Sequence, residues 1–177
     1  MFGKNDEKSL YGVQKKSRPK LEDAIIETLR DTQQKNALDF CEFLRANRMS
    51  PRWTAANAWR AIYKKDVVCY IRIHGTARSH SLSENEWHID FGKYDRKYDN
   101  DVSELKETAW ENVKPCTKCG PCGPGGYALI LGKEFENVCH SYVVIRNPDG
   151  VHMAYALKLA EAIRDIVQSR EAKMLRR

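Results

Sequence analysis

The most chemically committed residues in the chain are three cysteines at two-residue spacing, Cys116-Thr-Lys-Cys119-Gly-Pro-Cys122. Thiolates so spaced can reach one ion with bonds of about 2.3 Å while the backbone between them turns back. Gly120 suits that turn, because it takes up positive φ without steric cost. Pro121, Pro124, Gly125 and Gly126 bend the loop and offer no core side chain, which makes a metal the obvious agent to order it. Cys139, beyond a short hairpin, supplies a fourth ligand, with His140 as a substitute. The expected cofactor is zinc, held structurally by Cys116, Cys119, Cys122 and Cys139. An iron–sulfur cluster is the alternative metal reading, since C-x2-C-x2-C also opens ferredoxin-type runs. Reactive or redox-paired thiols without metal are the third. Four thiolates close the shell and leave little Lewis acidity for a substrate, which favours a structural site. An open three-cysteine site with Glu134 or Glu136 as base is its catalytic counterpart.

A second candidate lies on strands. In Val67-Val-Cys-Tyr-Ile-Arg-Ile73, alternation puts Val67, Cys69, Ile71 and Ile73 on one face and Val68, Tyr70, Arg72 and His74 on the other. In Glu86–Gly92, Trp87, Ile89 and Phe91 oppose His88 and Asp90. If these strands pair, Tyr70, Arg72, His74, His88 and Asp90 share a face, and Trp59, Tyr63 and Trp87 add aromatic walls. Such a mixture lines many small-molecule pockets, and His88 beside a carboxylate could act as a base. The same residues also serve as ordinary cross-strand partners on a solvated sheet face. His74, His80 and His88 are too irregularly spaced to signal a second metal. The chain carries no phosphate loop, dinucleotide fingerprint, Ser-His-Asp arrangement or H-E-x-x-H motif.

The elements that must position these residues follow from periodicity. Leu21, Ala24, Ile25 and Leu29 predict a helix from Pro19 to about Gln33, and Ala37, Phe40, Cys41 and Leu44 predict a second from about Lys35 to Arg48. Met49-Ser50-Pro51 reads as the break that ends it. Ala58–Tyr63 and Val67–Ile73, joined by Lys64-Lys65-Asp66, predict a hairpin. Gly75–Asn85 reads as a polar loop before the Trp87 strand. Asp101, with Glu104 three residues on, is placed to cap a helix to about Val113. Tyr127–Leu131 and Tyr142–Arg146 read as strands. Asn147-Pro148 opens a last helix with Met153, Ala156, Leu157, Ala160, Ile163 and Val167 inward. The expected fold is α+β: an antiparallel sheet of three to five strands with two N-terminal helices and two further helices packed on it. Residues 1–19 read as a flexible basic arm, 20–168 as one domain carrying the cysteine loop, and 169–177 as a basic tail.

The net charge of +6 is concentrated at the ends: residues 1–20 carry six Lys/Arg against two acids, and residues 168–177 four against one. What remains is nearly neutral, which argues against a specific nucleic-acid groove. No apolar run approaches the roughly 20 residues of a membrane span, and the start shows no signal peptide. The expected compartment is the cytoplasm, where thiols stay reduced and six cysteines do not form three disulfides.

Ala37-Leu-Asp-Phe-Cys-Glu-Phe-Leu44, Trp59 with Val67–Ile71, the Cys116/Cys119/Cys122 run and Gly132-Lys-Glu-Phe-Glu-Asn-Val-Cys139 together resemble a family of uncharacterised proteins from clostridia-like Firmicutes. The resemblance covers residues from about 21 to 167 and implies a bacterial cytosolic origin, with no established activity attached. The function expected is a non-enzymatic ligand-binding or interaction module braced by zinc, its partner a small molecule or protein. The competing expectation is a metal- or thiol-dependent enzyme.

Overall fold

The computed structural model describes residues 9–77, 80–92, 102–118 and 122–175, except for the side chains of 74–77, 80–82, 171, 173 and 175. Among the described residues the chain is α+β, with five α-helices and an antiparallel sheet of seven strands. In chain order these are α1 (Leu10–Ser17), α2 (Leu21–Thr28), α3 (Asp31–Ala46), β1 (Ser50–Ala55), β2 (Ala58–Tyr63), β3 (Asp66–Ala77) and β4 (His80–Asp90). A 3-10 turn at Ser103–Leu105 leads into α4 (Lys106–Glu111), then β5 (Val113–Pro115), β6 (Gly126–Ile130), β7 (Lys133–Arg146) and α5 (Gly150–Leu175). The strand order is β1-β2-β3-β4-β7-β5, with β6 also paired to β7.

The core lies where one sheet face meets the helices. Register aligns Trp53, Trp59, Ile71, Ile89 and Ile145 across β1, β2, β3, β4 and β7, and the last four are at most 1% exposed. Against this side pack Leu21, Ala24 and Ile25 of α2, Phe40 and Leu44 of α3, and Tyr155, Leu159 and Ile163 of α5. Burying each large aliphatic or aromatic chain contributes roughly 1.5–3 kcal/mol. The α3 stripe is the one its spacing predicts. That of α5 is broader, because Tyr155 and Leu159 are fully buried while Met153 and Leu157 are only partly so.

Several boundaries differ from expectation, each for a physical reason. The break between the first predicted helices falls at Leu29, whose extended backbone ends α2. Ser50-Pro51 opens β1 rather than a loop, since a proline is tolerated at the start of an edge strand. Pairing shifts between Ala61 and Ile62, so Val68 turns into the core and Val67 out to solvent, reversing the parity expected there. Strands β3 and β4 run on through what reads as a polar loop. The helix expected to reach Val113 stops at Glu111, and Val113 pairs with Val143 instead. The Asp101 cap lies outside the described residues. The stretch around Cys139 and the last strand are one 14-residue strand, β7.

The N-terminal segment read as an arm contains α1, capped by Ser9, whose hydroxyl accepts from the Gly12 N–H at 3.1 Å. Gln14 docks it. Its amide donates to Asn57 Oδ1 at 2.6 Å and accepts from the Asn57 N–H at 2.7 Å and the Trp53 indole at 3.2 Å. At the other end α5 continues to Leu175, well into the segment read as a tail.

Candidate functional site

The sheet face opposite the helices holds the residues expected to line a ligand pocket. Register sets Tyr70 opposite Asp90 and Arg72 opposite His88, with Arg146 beyond His88 on β7. His88 and Asp90 are 0% and 4% exposed, while Tyr70 and Arg72 are half-buried and Arg146 is exposed, so the row is buried at its histidine and carboxylate and open at its flanks. Burial pushes the Asp90 carboxyl above the usual carboxylate range, opposed by hydrogen bonds from the Gly92 N–H and Ser141 and by the charges of Arg72 and Lys114. The Gly92 bond is 2.8 Å long. His74 stands at the irregularity between Ile73 and Gly75, and its side chain is outside those described. Trp59 and Trp87 are fully buried on the helix side, away from this row. Their indoles donate to the Pro19 carbonyl and to Gln33 Oε1 at 2.9 and 3.0 Å. They position helices instead of walling a pocket.

The cysteine loop leaves and rejoins β7 at one place, since Pro115 and Gly126 both pair with Val138. The Cys116 N–H donates to the Asn137 carbonyl at 2.6 Å, and the Asn137 amide returns a bond to the Cys116 carbonyl at 3.1 Å. Asn137 has φ 56°, a left-handed conformation that asparagine tolerates. Gly125 packs into this junction so closely that a Cβ there would lie 2.6 Å from Cys116 Cβ and 2.7 Å from the Asn137 carbonyl carbon. Cys116 and Cys139 are buried, Cys122 is exposed, and Cys119 lies outside the described residues. Among the described residues no three His, Cys, Asp or Glu side chains are grouped to hold one ion. Cys41 and Cys69 are core residues whose thiols burial pushes up, that of Cys41 to about 12. Neither has the thiolate character of a reactive cysteine.

The most distinctive surface is elsewhere. Where the linker between α1 and α2, the turn after α3 and the β1–β2 edge converge, a cleft of about 640 Å³ is lined by Arg18, Lys20, Arg48, Arg52, Arg60 and Lys64. Trp53, Pro19, Ser50, Pro51 and Ile62 make up the rest of its lining, and among the described residues no carboxylate lines it. Arg52 and Arg60 are directly opposed across β1 and β2. Like charges in that position cost roughly 0.2–1 kcal/mol.

Three of the six cations sit where a side chain is disfavoured. Arg48 follows α3, where the Met49 N–H bonds to the Leu44 carbonyl at 2.8 Å and the Arg48 N–H to that of Arg45 at 3.0 Å. This helix ending normally places glycine at the left-handed residue, yet Arg48 holds it with φ 60°. Arg18 ends α1 at φ 45°, and Lys64 turns the β2–β3 hairpin at φ 55°. Each costs about 1 kcal/mol relative to glycine. The Trp59 indole, by holding the Pro19 carbonyl, fixes the segment between Arg18 and Lys20.

Sequence reasoning missed this cleft because it summed charge over the body. Residues 43–65 carry six Lys/Arg and no Asp/Glu, the local signal that marks it. Compared with protein-family models, with curated proteins and with solved structures, the chain matches none.

Proposed function

We propose that the protein is a binding module for an anionic ligand, taken up in the cleft between the α1–α2 linker, the turn after α3 and the β1–β2 edge. The observation that carries this reading is the set of six cations lining about 640 Å³ with no carboxylate among the described residues. The volume is that of ordinary small-molecule sites. Arginine predominates, and its planar fork matches carboxylate and phosphate oxygens in pairs. Cations on left-handed residues and opposed arginines lower the stability of the free chain, an arrangement that a bound anion offsets.

The same reading keeps zinc as a brace held by Cys116, Cys119, Cys122 and Cys139. It is supported by the return of both loop ends to Val138, beside Cys139. Native mass spectrometry with metal analysis tests the brace. One tightly held zinc supports it, while iron with labile sulfide, or metal-free and rapidly alkylated thiols, overturns it in favour of redox chemistry.

The cleft is tested by thermal shift against inorganic phosphate, sulfate, tripolyphosphate and a single-stranded oligonucleotide. Stabilisation by at least one of them, abolished in Arg52→Gln/Arg60→Gln, is the expected result. Stabilisation that survives that double substitution, or none at all, overturns it.

A further inference from the structure

Resting on the anion-binding reading of the cleft, we infer that its occupant is a small molecule carrying two or more phosphate groups in succession. The first argument is charge. Six cations converge from three separate segments, Arg18 with Lys20, Arg48 with Arg52, and Arg60 with Lys64. A lone phosphate carries a charge of only about −1.5 to −2 near neutral pH, well short of the formal charge of the six side chains. An oligophosphate neutralises several at once.

The second argument is local geometry. Arg52 and Arg60 are direct cross-strand partners, whose Cβ atoms in such a pair lie about 4.5–5.5 Å apart. Two guanidinium forks issuing from so close together can grip one tetrahedral group. Arg48 and Lys64 enter from backbone turns, one ending α3 and one between β2 and β3, and are therefore held by different elements. That division provides for a second group that is linked to the first but not superposed on it.

The third argument concerns the Arg48 end of the cleft. Arg48 lines a further cavity of about 190 Å³ together with Asn47, Tyr63, Arg164 and Gln168. The Arg164 guanidinium there already bonds to Asp165 and to the Asn47 amide oxygen. The cationic lining without acids thus gives way to a neutralised, hydrogen-bonding one. At this end of the cleft a compact ligand with a polar head and a charged tail fits the gradient.

The test titrates the full-length chain by calorimetry with tripolyphosphate, with orthophosphate, and with single-stranded oligonucleotides of two lengths. Tripolyphosphate is expected to bind at least about 30-fold more tightly than orthophosphate, because each further charge-assisted contact contributes roughly a factor of ten. Arg52→Gln and Arg48→Gly should each weaken it about 10-fold, while Lys35→Gln on α3, which does not line the cleft, should leave it unchanged. Circular dichroism of each variant establishes that it folds. Equal affinity for orthophosphate and tripolyphosphate overturns the inference while leaving the anion cleft intact. Tighter binding by the oligonucleotides, rising with their length, also overturns it and assigns the cleft to nucleic acid. Arg52-independent binding of all of these probes sinks both readings together.

Discussion

The cysteine loop and the cationic cleft occupy opposite ends of the strand order, and they differ in how their residues come together. The loop is dense in sequence, with Cys116, Cys122 and Gly125 within ten residues, and its visible fastening is steric and hydrogen-bonded. The cleft is dispersed, from Arg18 to Lys64, and exists only once α1, α3 and the hairpin have docked. The difference teaches that conspicuous chemistry in a sequence and concentrated charge on a surface are independent signals. It also assigns each region its own sensitivity. The loop should respond to substitutions that alter packing, and the cleft to those that alter charge.

The largest effect expected is at the loop. Gly125→Ala should lower stability by about 3 kcal/mol or more, since its methyl would overlap Cys116 and the Asn137 backbone. Denaturant titration measures this, and a loss under 1 kcal/mol would show that the junction relaxes easily. Next is the fastening of α1. Gln14→Ala leaves the Asn57 N–H and the Trp53 indole without the amide oxygen they share, at a cost of about 1–3 kcal/mol. Hydrogen exchange should show α1 opening before the sheet, with anion affinity falling alongside it.

Arg48→Gly runs the opposite way, raising stability by up to about 1 kcal/mol at the α3 terminus while weakening anion binding. If stability and affinity fell together, the cleft would depend on packing as the loop does, and the contrast would dissolve. The smallest effect concerns pH. The folded chain raises the Asp90 pKa, so the native state takes up that proton before the unfolded state does. The contribution of Asp90 to stability therefore grows as pH falls through the raised value and is lost as pH rises. The melting temperature of the native chain minus that of Asp90→Asn should increase as pH is lowered from neutral towards the ordinary aspartate range. A flat difference would mean that Arg72 and Lys114 compensate the carboxylate fully.

What the sequence made legible was what local periodicity controls. The α3 stripe, the β2–β3 hairpin and the shared face of Tyr70, Arg72, His88 and Asp90 all follow from spacing of 3.6 or 2 residues, while the register that opposes them comes from the pairing itself. It hid what tertiary context decides. Pro51 reads as a terminator until β1 is known to lie at a sheet edge, and the bulge at Val68 inverts a parity that looks regular. Polar Lys133–Asn137 gives no strand signal because much of that half of β7 is exposed. Trp59 looked like a ligand wall because aromatic residues line pockets, yet its indole reaches the Pro19 carbonyl from inside the core. The cleft escaped notice because its cations stand on six non-adjacent positions, while the two termini dominated the sum of charge.

The edge position of β1 carries a consequence of another kind. A free strand edge invites pairing with the same edge of a second copy, the first step towards aggregation. Pro51 interrupts that edge and Arg52 crowds it with charge, so two copies approaching there repel each other. Cations placed to receive a ligand thereby also keep the chains apart. Neutralising Arg52 and Arg60 should then lower the concentration at which the protein remains dispersed, even where the fold itself is unharmed.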